Sequence, residues 1–211
     1  MERPSIRRKL EEILNSITHG LGVAGGITGL VLLLAYASSR TSGVIIGSFA
    51  IFGSCVILLY LASTLYHSLS FTRARNILRK IDHSAIFLLI AGTYTPFTLA
   101  TIKGTTGLVL LVCIWIAALA GIIFKACFIH RLPIISVLLY IFMGWIAIFF
   151  AKPIANNIQT AGLILLIAGG LSYTLGTIFY AWKKLPFHHT IWHLFVLGGT
   201  TCHYISMFFI A

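Results

Sequence analysis

The sequence predicts an all-α integral membrane protein, a bundle of seven transmembrane helices. Of its 211 residues, 59% are hydrophobic and 9% charged, whereas soluble domains carry about a quarter charged residues. A water-facing surface would have to be built from Leu, Ile and Phe, so the bilayer is the solvent. The apolar residues fall into continuous runs of roughly twenty, the length that crosses about 30 Å of hydrocarbon as a helix. Only helices and closed barrels satisfy their backbone polar groups in lipid, and these runs lack the two-residue alternation of a membrane barrel.

Residues 1–16, MERPSIRRKLEEILNS, form a polar, amphipathic segment on the cytoplasmic side, and residues 17–211 form the transmembrane domain. The first span runs from about 17 to 37. Ala35-Tyr36-Ala37 mimics a signal-peptide cleavage site, but the apolar run before it exceeds the roughly 7–15 residues of a signal peptide's apolar region. Further spans are predicted at 43–67, 83–101, 106–125, 133–151, 160–181 and 189–210. Polar, Gly or Pro residues break the runs at Ser38 to Ser42, Thr72 to Asp82, Lys103-Gly104, His130 to Pro133, Lys152-Pro153 and Lys183 to Pro186. These breaks leave no room for a soluble domain.

A formal charge of +11 would suggest nucleic acid in a soluble protein,. Here the basic residues sort by loop. Twelve, including Arg7, Arg8, Arg73, Arg79, Lys125 and Lys183, fall at the N-terminus and in the even loops, against Arg40, Lys103 and Lys152 in the odd ones. The positive-inside rule then puts the N-terminus in the cytoplasm and the C-terminus outside the plasma membrane. The charge sets topology and meets anionic membrane lipids, and no nucleic-acid partner is expected. Cys55, Cys113, Cys127 and Cys202 form no CxxC pair, so they read as packed thiols rather than disulfides or a metal site.

Ionisable groups at membrane depth are expensive unless they are used. His189 and His193 are four residues apart on the last span, which aligns them on one helical face about one turn apart. They fit a helical metal-binding pair, or interfacial polar residues; His188 points away and reads as interfacial. Ser63 lies one turn before His67 at the end of the second span. By topology His67 reaches the same cytoplasmic layer as His189 and His193, unless it only snorkels to the interface. Three imidazoles without a thiolate are the ligand set of a catalytic zinc site that keeps one position for water. Asp82, beginning the third span, is either an N-cap or a carboxylate near the metal, acting as general base or orienting a ligand histidine; His83 reads as structural. Glu12, Asn15 and His19 share one face of the first helix, where they line the site's mouth, receive a headgroup, or only anchor the helix. His203, about 15 Å deeper than His193 at 1.5 Å per residue, is expected to hydrogen-bond another helix near Thr200, Thr201 and Tyr173. Gly22 with Gly26 and Gly25 with Gly29 are small-xxx-small pairs for close packing, and Pro96 is expected to bend the third span.

The motifs EEILNSITHGLG, STLYHS, KIDHSAIFLLIAGTYTPF and HHTIWH resemble those of the hemolysin III proteins, relatives of the progestin and adipoQ receptors and, more distantly, of alkaline ceramidases. The resemblance covers nearly the whole chain. It implies a seven-helix membrane protein with a cytoplasm-side zinc bound by His67, His189 and His193, and Ser63 and Asp82 close to it. The receptors carry a longer N-terminal segment, so a hormone-receptor role is not expected. Three functions follow from the residues and the resemblance together. The first is a zinc hydrolase of a lipid-like amide or ester, with Asp82 and Ser63 as catalytic groups. The others are a cytolytic or pore-forming protein, against which stands the lack of a polar stripe on any span, and a sensor whose zinc is structural.

Overall fold

The computed structural model describes residues 5–128 and 133–210. Among these residues the secondary structure is helical throughout, with no strand. Arg3 and residues 130–132 of the predicted break from His130 to Pro133 lie outside the described residues.

Helix α1 spans Ile6–Ala37 and is capped by Ser5, whose hydroxyl accepts from the Arg8 N–H at 3.3 Å. The polar segment and the first span are therefore one continuous helix. Ser42 caps α2, Gly43–Ser68. Helix α3, Arg75–Phe97, continues through Pro96 and ends in a π-helical turn, Thr98–Ile102. That turn and the positive φ of Lys103 and Gly104 reverse the chain into α4, Gly104–Phe128. The fifth span is composite: α5, Pro133–Trp145, passes through a 3-10 turn, Ile146–Phe150, into α6, Ala151–Asn156. Helix α7, Thr160–Ala181, and α8, His188–Met207, complete the bundle.

Among the described residues, six segments are long and apolar enough to cross a membrane: α1, α2, α3 with its π turn, α4, the α5–α6 composite, and α7. Helix α8 is the seventh; its 20 residues reach about 30 Å, and four histidines dilute its apolar character. Around the bundle each helix packs on the next, α1 on α2, α2 on α3, α3 on α4, α4 on α5, α5 on α7 and α7 on α8, and α1 on α8 closes the ring.

Two predicted boundaries are corrected. The second loop is shorter than expected, because α3 begins at Arg75 with Ala74 as its cap. Asp82 thus lies about two turns inside the helix, and its N-cap reading is overturned. Lys152-Pro153 does not break the chain, since both lie in α6; Pro153 sits in the first turn, where no helical partner exists for an N–H. The chain turns at Asn157–Gln159 instead.

Small residues bring the helices together. A Cβ on Gly22 would meet the Tyr60 ring at 2.8 Å, and one on Gly26 would meet Ile57 at 3.2 Å. Gly25, expected to pack, faces open space. Helices α2 and α3 pack tightly at Gly92, where a Cβ would lie 2.8 Å from Cys55 Cβ and Sγ. Gly92→Ala is therefore expected to lose about 1–3 kcal/mol by overpacking, read as a lower melting temperature in detergent. The four cysteines are free; Cys55 is buried, whereas Cys113 and Cys127 lie on the exposed outer surface.

Candidate metal centre

At the end of the bundle that carries the N-terminus, α2 finishes and α8 begins. This juxtaposition brings His67, His189 and His193 together, with one ligand atom from each lying within 4.8 Å of the others. The ring centroids are 5.1 Å apart for His67–His189, 5.0 Å for His67–His193 and 4.7 Å for His189–His193. The i, i+4 spacing on α8 supplies two imidazoles from one face, and the last turn of α2 supplies the third.

The donor set fits a metal ion. His67 Nδ1 lies 2.7 Å from Glu12 Oε2; an ionised carboxylate only accepts, so Nδ1 carries the proton. Nε2 is then a buried lone pair, and it has no hydrogen-bond partner. In His193 the Nδ1–H donates to the Asn15 carbonyl at 3.2 Å and to Thr18 Oγ1 at 3.1 Å, so its Nε2 is also left as a lone pair. Carboxylate and carbonyl partners behind ligand histidines orient the rings and raise their basicity. The cluster can thus hold one cation through neutral imidazoles.

Helix α1 provides nearly all of this support. Glu12 holds His67. Asn15 serves α8 twice, through its carbonyl to His193 and through Oδ1, which accepts from Thr190 Oγ1 at 2.6 Å. His19 stacks flat on His193, with centroids 3.5 Å apart and planes 7° from parallel, and both its ring nitrogens are buried without a partner. Glu11 Oε1 accepts the Phe187 N–H at 3.2 Å, pinning the left-handed residue (φ 57°) that starts α8. The predicted face of Glu12, Asn15 and His19 is therefore part of the site and not a mere interfacial anchor. Glu12→Gln is expected to lower metal affinity about 10- to 100-fold, measured by competition with a calibrated chelator.

A cavity of about 390 Å³ runs from this cluster into the bundle. Ser63, Asp82, His19, His189 and His193 line its near end, and Leu59, Leu89, Ile148, Leu166 and Val196 are among its apolar walls. Ser63 is 1% exposed. Asp82 Oδ2 accepts from His83 Nδ1–H at 3.1 Å, so His83, expected to be structural and on another face, holds the carboxylate that shares the cavity with the histidines. Asp82 is not one of the clustered metal-ligand candidates. Deeper in, Thr200 gives its proton to the Val196 carbonyl and accepts from Tyr60 at 2.7 Å and Tyr173 at 2.8 Å. His203 donates through Nε2 to the Leu166 carbonyl of α7 at 3.1 Å, the cross-helix bond expected of it.

Thr18, Thr190, Glu11 and His83 went unassigned as site residues in the sequence. Glu11 and Thr18 lie on the same side of α1 as Asn15, at i−4 and i+3. That periodicity is a signal, but only the partner helix shows which polar residues on it are used.

A sequence profile described as Haemolysin-III related matches residues 7–204. The chain is 51% identical over 199 residues to the Hemolysin-3 homolog of Bacillus subtilis (strain 168), covering 94% of this chain and 93% of the relative. It is 47% identical over 199 residues to Hemolysin-3 of Bacillus cereus, covering 94% and 91%. A more distant likeness, 27% over 205 residues, joins it to the human Monocyte to macrophage differentiation factor, covering 93% of this chain and 83% of that protein. The profile spans almost the entire bundle, from the first turn of α1 to the last of α8, and the chain belongs to the haemolysin-III-related family.

Proposed function

We propose that this protein is a zinc-dependent hydrolase of a lipid-like amide or ester, working in the cytoplasmic leaflet of the plasma membrane. The observation that carries the reading is that two of the three histidines, His189 and His193, line a deep apolar cavity together with Ser63 and Asp82, so the cluster opens onto it instead of being sealed in packed core. A metal that only ties helices together needs no such opening, whereas a hydrolase needs room for an acyl chain beside the metal. Three imidazoles with no thiolate favour zinc in a catalytic setting. When bound, zinc supplies a Lewis acid for a carbonyl and lowers the pKa of water toward about 7.

The chain's own residues supply the rest. The apolar walls take the acyl chain out of the bilayer and exclude bulk water from its length. Asp82, held by His83, accepts the proton of the attacking water and returns it to the leaving amine or alcohol. The hydroxyl of Ser63, one turn from His67 on α2, orients that water. Glu12, Asn15 and Thr18 keep His67 and His193 in one tautomer with Nε2 forward. The basic end of the bundle supports a cytoplasmic N-terminus and, with it, a site on that side of the membrane.

Incubating detergent-purified protein with acyl amides and acyl esters tests the reading. Release of free fatty acid by wild type and not by His67→Ala is the expected outcome, and no release from any substrate by zinc-replete wild type would sink it.

A further inference from the structure

Lys125 is a charged side chain that the proposed chemistry does not use. It lies near the end of α4, where a membrane lysine ordinarily snorkels and leaves its ammonium in the headgroup water. Here it is 3% exposed and is one of the residues that line the cavity, as Asp82, His83, Ser136 and Tyr140 also are. Among the described residues, no carboxylate lies within 4.0 Å of it and no hydrogen bond to it is found; its Nζ is not among the fully buried unpaired atoms, so the ammonium keeps some accessible surface. Asp82 is engaged with His83. The charged neighbour of Lys125, Arg79, has the same sign. A buried cation without a counter-charge is costly, and a second cation nearby raises the cost. An anion is the partner whose charge would offset that cost.

We propose that Lys125 is the anion-binding group of this cavity, and that its ligand is a single-chain amphiphile with a carboxylate or phosphate on its polar part. The proposal rests on the hydrolase reading for the statement that this ligand is also the substrate. The cavity is amphipathic in the matching sense. Its length is apolar, and the ammonium sits at the same end as the three histidines. An acyl amide or ester can then lie with its chain along Leu89, Ile148 and Leu166, its carbonyl at the histidines and the anionic part of its leaving group at Lys125. N-acyl amino acids and acyl phosphoesters have this form, whereas neutral amides leave Lys125 unpaired.

Binding, read without turnover, tests this separately from hydrolysis. Trp145 and Trp192 line the cavity, so a chain brominated near its end quenches their fluorescence on contact. N-(bromoundecanoyl)glycine is titrated against its neutral glycinamide on chelator-treated protein, so that no metal ion competes for the carboxylate. Wild type is expected to bind the glycine form about tenfold or more tightly, as one charge-assisted hydrogen bond provides. Lys125→Met should erase that preference and Lys125→Arg should keep it. Removing an unpaired buried charge should not lower the melting temperature of Lys125→Met, which separates loss of the site from loss of the fold. Equal binding of the two forms by wild type, or a preference that survives Lys125→Met, overturns the proposal. Displacement of the brominated chain by millimolar inorganic phosphate alone overturns the amphiphile and assigns Lys125 to a small free anion.

Discussion

Wild-type protein purified in detergent is expected to contain about one zinc per chain by mass spectrometry, and His67→Ala and His193→Ala are each expected to lose it. The two variants remove candidate ligands from different helices, α2 and α8. Their agreement therefore reports a site built between helices and not a chance pair on one of them. His203→Ala is the control: His203 is spent on the Leu166 carbonyl and lies ten residues beyond His193, about 15 Å along the helix. It should keep its zinc even if it melts earlier. Metal-free, well-folded wild type would rule out both the catalytic and the structural metal. Loss of zinc from His203→Ala as well would show that the assay reads folding alone.

Asp82→Asn is expected to lower turnover of a lipid amide or ester by about 10²- to 10⁴-fold, the usual contribution of a positioned general base, while zinc content stays at the wild-type level. Asparagine preserves the size of the side chain and can still accept from His83, but it cannot take up the proton of the attacking water. Zinc retention is expected because Asp82 lies outside the histidine cluster. The same variant separates catalysis from a structural tie. In a structural site, chelation would melt the α2–α8 contact and Asp82→Asn would change nothing measurable; in a hydrolase, chelation stops turnover with most of the fold intact. A large loss of zinc from Asp82→Asn would instead make Asp82 a ligand and remove it from the role of base.

The arrangement of α1 explains why the N-terminal polar segment contributes more than topology. Glu12 and Asn15 satisfy one histidine on α2 and one on α8, so the helix that carries the basic N-terminus also sets which imidazole nitrogens are left free in the cluster. The effects of Glu12→Gln on metal affinity and of Asp82→Asn on turnover should therefore be distinct. One acts on the ligands' orientation, the other on proton transfer.

Fold class and helix count were legible in composition and run length, because each span must satisfy its backbone alone and does so with a continuous apolar stretch. The histidine pair on α8 was legible for the same local reason, since i and i+4 share a face whatever surrounds them. Boundaries were less so. Asp82 looked like a cap and Lys152-Pro153 like a break because polar residues and Pro usually end helices, yet α3 begins two turns before Asp82 with Arg75 to Lys80 exposed or half-exposed, and α6 tolerates Pro153 in its first turn. Through run length, spacing and loop charge the sequence by itself determined a seven-helix membrane bundle and, as candidate ligands, the His189–His193 pair with His67 at the same end. Tertiary structure alone decided which polar groups support them, because the Glu12–His67, Asn15–His193 and Asp82–His83 bonds, and the burial of Lys125 beside an apolar cavity, depend on which helices become neighbours. Adjacency of that kind is set by packing around the whole ring, and no single helix encodes it.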